Sequence, residues 1–225
     1  MTNLRRNYAI LLAGFTLLVT LSAFGQAEGD PWLIVTSGGK RLLNLQTTHE
    51  DLVRIFGAAN VVEQDGIDGM SGDMEYVTVL FPKDPQRAIE ILWRDGEKRT
   101  VPQSMTIRGD KSKWKAMQGI SLGISLKELE AVNGRPFELS GYGWDYGGGI
   151  TSWENGSLAA DLDGGHGTVS ITLCQSLRKD VSQKEWRDVT GSGSFPSSHP
   201  TMQKLNPRAC HIDWIFPSWE QERSE

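Results

Sequence analysis

The sequence has few cysteines: Cys174 and Cys210 are the only two among 225 residues. That excludes a disulfide-dense scaffold and leaves room for one bridge. It has no basic run, and its formal net charge is −5, so the electrostatic footprint of a nucleic-acid binder is missing. After residue 27 no apolar run reaches membrane length. The four histidines, His49, His166, His199 and His211, form no His-x-x-x-His pair, and the cysteines form no Cys-x-x-Cys pair. The usual zinc spacings are therefore absent, and no metal or cofactor is expected. Gly38-Gly39-Lys40 lacks the first glycine and the hydroxyl residue of a phosphate-binding loop. What remains is a chain of ordinary globular composition, 38% hydrophobic and 23% charged, with 25 glycines and 8 tryptophans. That pairing suits many turns and aromatic sheet faces.

Residues 1–27 read as an export signal. Arg5 and Arg6 supply the positive start, Tyr8 to Phe24 the apolar stretch, and Ala23, Gly25 and Ala27 the small residues near a cleavage point. The apolar stretch falls short of the roughly 20 residues that span a bilayer. Cleavage after Gly25 or Ala27 starts the mature chain near Gln26 or Glu28. It removes two arginines and no acid, taking the net charge from −5 to −7. The mature chain is expected in the periplasm or outside the cell, without stable membrane insertion.

Export favours a Cys174–Cys210 disulfide. Strand phase opposes it. In Thr168–Cys174 the apolar set is Val169, Ile171 and Leu173, so Cys174 points outward, whereas Cys210 is in phase with Ile212, Trp214 and Phe216. A bond then needs a bulge, a strand end or a sheet buried on both sides. Otherwise the thiols stay separate.

A self-similarity at an offset of 77 organises the chain. Leu43-Asn-Leu-Gln-Thr-Thr48-His-Glu-Asp-Leu52-Val-Arg-Ile-Phe-Gly57 lies over Ile120-Ser-Leu-Gly-Ile-Ser125-Leu-Lys-Glu-Leu129-Glu-Ala-Val-Asn-Gly134. Thr48 and Ser125 are good N-caps, with Asp51 and Glu128 three residues on. Leu52, Ile55 and Phe56 form one apolar face, and Leu126, Leu129 and Val132 form the other. Gly57 and Gly134 are C-terminal stops. Each half then predicts a short helix followed by strands. The first half has strands at Glu75–Phe81, Ala88–Trp93 and Ser104–Arg108; the second has them at Gly149–Glu154, Ser157–Leu162, Thr168–Cys174 and Arg208–Phe216. Ile89, Ile91 and Trp93 lie over Val169, Ile171 and Leu173 at an offset of 80, which a loop insertion absorbs. The alternative is coincidence between two capped helices. The expected layout is α+β, two tandem units of a short helix on an antiparallel sheet. Residues 28–110 form the first unit and 111–218 the second, with a long irregular connection over 179–207 and a polar tail over 219–225.

The phrase Gly119-Ile-Ser-Leu-Gly123-Ile-Ser125-Leu-Lys-Glu-Leu129, continuing to Asn133-Gly134-Arg-Pro136, resembles a repeat unit of small exported domains. It is similar to that of the beta-lactamase inhibitory protein and of BamE-type outer-membrane assembly lipoproteins. The tandem copy looks more like the inhibitory protein. The second copy matches over about 20 residues, and the first lacks the glycine before the cap and the proline after the stop. The resemblance implies a helix-on-sheet fold and a binding role. It carries no contact residues over, because the inhibitor's lie outside the shared motif. The stretch Gly-Tyr-Gly-Trp-Asp-Tyr-Gly-Gly also resembles exported bacterial proteins without an assigned activity.

Ser140-Gly-Tyr-Gly-Trp-Asp-Tyr-Gly-Gly-Gly149 places three aromatics and one carboxylate among five glycines. Tyr142, Trp144, Asp145 and Tyr146, with Trp153 nearby, are candidate partner-binding residues, since Tyr and Trp give large contact area at small entropy cost. The competing reading is a bulged strand whose aromatics pack inward. Asp161-Leu-Asp-Gly-Gly-His166 and Asp65-Gly-Ile-Asp-Gly-Met-Ser-Gly-Asp73 lack calcium-loop spacing and read as a hairpin turn and an acidic loop. His211 and Asp213 share a strand face, as a solvent-facing polar alternation does. The function expected is a non-catalytic binding or envelope-accessory protein whose partner is another envelope or extracellular protein. The alternative is a secreted hydrolase of cell-wall or carbohydrate substrates, using Asp145 with Glu154 or Asp161.

Overall fold

The computed structural model describes residues 43–67, 72–162, 167–175 and 180–217. The export signal, the polar tail, the centre of the acidic loop and the turn 163–166 lie outside them. Among the described residues no helix is long and apolar enough to cross a membrane.

Helix α1 (His49–Phe56) begins where Thr48 accepts from the Asp51 N–H while Asp51 accepts from the Thr48 N–H. These reciprocal bonds satisfy two otherwise unpaired donors. A 3₁₀ turn leads into β1 (Val61–Glu63), then β2 (Gly66–Ile67), β3 (Met74–Glu75), β4 (Val77–Leu80), β5 (Ile89–Trp93) and β6 (Pro102–Ile107). Helix α2 (Leu126–Asn133) repeats the same cap with Ser125 and Glu128. Then come β7 (Glu138–Ser140), β8 (Ile150–Ser152), α3 (Ser157–Leu162), β9 (Thr168–Cys174), α4 (Gln183–Arg187), β10 (Ser194–Pro196), α5 (Pro200–Leu205) and β11 (Arg208–Ile215). The fold is α+β. Its main sheet is antiparallel throughout, in the order β1-β4-β5-β6-β11-β9, beside a smaller sheet β10-β7-β8 and a short β2-β3 ribbon.

Period-two alternation builds the core. Ile89, Ile91 and Trp93 of β5, Met105 of β6, Val169, Ile171 and Leu173 of β9, and Ile212 and Trp214 of β11 are buried. Leu52 of α1 and Leu126 and Leu129 of α2 belong to the same apolar core. On the strands' other face Thr106 donates its hydroxyl to Asp213 at 2.6 Å, and Arg108 pairs with Glu90 at 3.2 Å.

Two expectations need correction. Ser157–Leu162 is a helix, not a strand. Its run Ser-Leu-Ala-Ala-Asp-Leu has no β-branched residue and four good helix formers, two Ala and two Leu. The Asn133 side chain also fixes its start, since Oδ1 accepts from the Leu158 N–H at 3.2 Å. The 179–207 connection holds α4, β10 and α5. Continuous pairing also crosses residue 110: β6 of the first half hydrogen-bonds β11 of the second, with Ile107 opposite Ile212.

Cys174 and Cys210 lie at disulfide distance, with Cα atoms 5.5 Å apart. The phase problem is solved by a bulge. The register slips between Ala209 and His211, so Ala209 turns inward and Cys210 turns toward Cys174.

Candidate functional site

The aromatic stretch leaves β7 and is strapped to residues 189–193. The Gly141 N–H donates to Gly193 O at 2.9 Å, the Tyr142 N–H to Val189 O at 2.9 Å, and the Gly191 N–H to Tyr142 O at 2.8 Å. A Cβ on Gly141 would stand 2.5 Å from both Gly191 O and Phe195 Cε2, so only glycine lets these strands approach. On the other side the Leu173 N–H of β9 donates to Gly148 O at 2.9 Å.

Between these anchors the three aromatics separate. Tyr142 is buried, stacks on Trp186 with centroids 5.6 Å apart, and donates its hydroxyl to Leu173 O at 3.1 Å. Burial pushes its phenol well above the usual tyrosine range. Gly143, at φ +83°, then turns the chain, and Trp144 and Tyr146 come to the surface, 38% and 61% exposed. Their rings meet edge to face at 5.2 Å. The Trp144 indole N–H donates inward to Gly141 O at 2.8 Å, which fixes the ring against its own loop. Asp145 stands between them, exposed, and no hydrogen bond or ion pair reaches its carboxylate among the described residues.

Trp144, Asp145 and Gly147 face Cys174 and Gln175 across a shallow open depression, with Tyr142 contributing to its wall. The Gln175 Oε1 atom is buried and has no hydrogen-bond partner among the described residues. Neither Cys174 nor Gln175 stands out in the sequence as part of this surface. They arrive there because β9 runs past the aromatic loop.

Trp153 does not join this surface. It is buried, packs on Phe137 at 5.3 Å, and its carbonyl accepts from Asn133. Glu154 is exposed and accepts from the Ser152 hydroxyl at 2.6 Å, outside the lining of the depression. The Asp161 side chain falls outside the described residues, so only Asp145 and Glu154 of the proposed carboxylates can be placed. His211 is exposed, and Asp213 is occupied by Thr106. Among the described residues no group of three or more His, Cys, Asp and Glu side chains is placed to hold a metal ion.

The expectation that the chain holds no Gly-x-Ser-x-Gly elbow for a hydrolase serine needs correction. Gly119-Ile-Ser121-Leu-Gly123 spells the nucleophile elbow of α/β hydrolases. That chemistry needs a serine on a sharp turn between a strand and a helix, beside a histidine. Ser121 instead follows a 3₁₀ turn and forms an isolated bridge with Lys115. No histidine or carboxylate hydrogen-bonds it among the described residues.

A second polar cluster lies at the start of α1, again unmarked by any motif. Buried Thr78 receives the Trp93 indole N–H at 2.9 Å, and its hydroxyl meets His49 Nδ1 at 3.0 Å. His49 Nε2 lies 3.6 Å from Glu63, and the buried Arg99 guanidinium pairs with Asp65. It ties the helix to the sheet. No family model matches the chain, nor does any curated protein or solved structure.

Proposed function

We propose that this is an exported, non-catalytic binding protein whose partner is another envelope or extracellular protein, and that the partner rests on the loop carrying Trp144, Asp145 and Tyr146. One observation carries the reading. Two large aromatic rings meet at the surface, Trp144 fixed there by its hydrogen bond to Gly141 O and Tyr146 edge to face with it, while a third, Tyr142, is taken inside. Exposed apolar surface lowers free energy only when later covered, by roughly 25 cal/mol per Å². The ring positions are set before binding, so little side-chain entropy is lost on contact.

Export is supported by the Arg-plus-apolar start and by a cysteine pair at bonding distance. Descent from a duplicated unit, as in the inhibitory-protein resemblance, is supported by the sheet order. A two-fold axis between the antiparallel neighbours β6 and β11 would exchange β5 with β9, the strands that the offset of 80 superposes. The hydrolase alternative requires two carboxylates converging on a cleft, and Glu154 lies away from Asp145's depression.

The test uses purified mature protein as bait in periplasmic extract, with Trp144→Ala and Tyr146→Ala beside wild type. Loss of a saturable partner with unchanged melting temperature supports the reading. A lowered melting temperature with undiminished capture per folded molecule overturns it.

A further inference from the structure

We infer that the depression beside Trp144 takes the guanidinium of an arginine side chain on the partner protein. The inference rests on the binding reading above and names the chemistry of its contact. The described groups facing this space are electron-rich. They are the Trp144 indole, the Asp145 carboxylate and Gln175, and neither the carboxylate nor the Gln175 Oε1 has a partner among the described residues. Tryptophan is the ring that attracts cations best. Turning the Gln175 amide toward a donor breaks no bond at Oε1 to any described residue.

Three features favour guanidinium over other occupants. The Trp144 N–H is spent inward on Gly141 O, so what the ring has left for a ligand is its π-system and not its donor. A saccharide hydroxyl both donates and accepts, and among the described lining side chains only the Gln175 amide has a donor not already used, since the Trp144 and Tyr142 donors are spent inward. A guanidinium donates only. Its plane stacks on an indole while its N–H groups reach a carboxylate and a carbonyl together, which a compact ammonium does less well.

The test is an NMR titration of the mature protein, following the Trp144 indole N–H and the Gln175 side-chain amide. A Trp144→Phe sample assigns the indole signal. The probes are Nα-acetyl-arginine amide, Nα-acetyl-norleucine amide and diacetylchitobiose. Saturable shifts with the arginine probe alone are expected. They should weaken about tenfold in Asp145→Asn and weaken further with added salt, as contacts between exposed charges do. The inference is overturned if no probe shifts these signals, if norleucine amide or the saccharide shifts them equally, or if Asp145→Asn binds the arginine probe as wild type does. Self-association that buries Trp144, seen as a concentration-dependent mass in sedimentation, also overturns it. Partner capture separates this inference from the broader reading. Capture lost in Trp144→Ala but kept in Asp145→Asn removes the arginine contact alone. Capture kept in both removes the binding loop itself.

Discussion

Tyr142 and Trp144 are two residues apart and have opposite environments. Alternation along a strand would put Tyr142, Trp144 and Tyr146 on one side. Gly143 in the left-handed region breaks that phase, and no neighbouring residue type announces the break. The Gly-aromatic pattern therefore marked the loop as unusual, but could not say which ring goes inside. Trp153 shows the same limit. Its burial depends on Phe137, 16 residues earlier, meeting it across the fold. Tyr142 gives a direct prediction. Its proton is retained in the folded chain above pH 10, the ordinary value, so the stability it lends is present below that pH and is lost at higher pH. Alkaline titration of tyrosinate absorbance should leave Tyr142 silent until the protein unfolds, and Tyr142→Phe should remove no signal from the folded-state curve. The same variant should cost about 1 kcal/mol for the lost bond to Leu173 O, read in denaturant unfolding.

The two capped helices were legible because their information is local. Cap, acid three residues later, apolar face and terminal glycine all lie within about ten residues. Thr48→Ala and Ser125→Ala should each cost about 1 kcal/mol. Leu52 and Leu129 are 1% and 0% exposed, and either change to Ala should cost roughly 2–5 kcal/mol. Equal, small losses in chemical denaturation would mean that neither leucine is a core contact. Helix α4 was equally readable, since Ser182 and Glu185 form the same reciprocal cap, yet the Ser- and Gly-rich surroundings masked it. Helix α3 was misread because six residues show no clear period. Hydrogen bonds from Lys204 and then from Ser182 hold the Glu185 carboxyl at about 2, below its ordinary 4.5. The unfolded chain therefore takes up this proton first as pH falls. The stabilisation is complete above pH 4.5 and disappears on the way down to about 2. Melting temperatures of wild type and Glu185→Gln should differ at neutral pH and converge across that window.

At the scale of the molecule, the cysteine pair spans 36 residues and joins neighbouring strands at one side of the sheet. Bonded, it should raise stability by about 3–4 kcal/mol through the smaller freedom of the unfolded chain. Denaturant midpoints of wild type, with and without reductant, and of the Cys174→Ser/Cys210→Ser double variant measure this. A reductant-insensitive midpoint equal to that of the double variant would show two free thiols. Strand phase left a bulge, a strand end or a sheet buried on both sides as the ways to join the cysteines, and the bulge at Cys210 came only with the register. What the sequence could not show is which strands meet, because the β6–β11 pairing joins segments far apart in the chain.

That pairing also sets an order in time. Strands β1, β4, β5 and β6 can assemble from neighbouring sequence, but β9 reaches the main sheet only through β11. The strand in the middle of the molecule's seam thus leaves the ribosome after every other described strand. Until Ile215 has emerged, Met105 and Ile107 sit on an open edge, with unpaired amides beside them. Long-range closure of this kind is slow, and a slow folder stays threadable. On the export proposed above, the same connectivity that gives the finished sheet its continuity would keep the nascent chain loose enough to pass through a translocation pore. It also leaves the β6 edge as the segment that a holding chaperone would need to cover on the way.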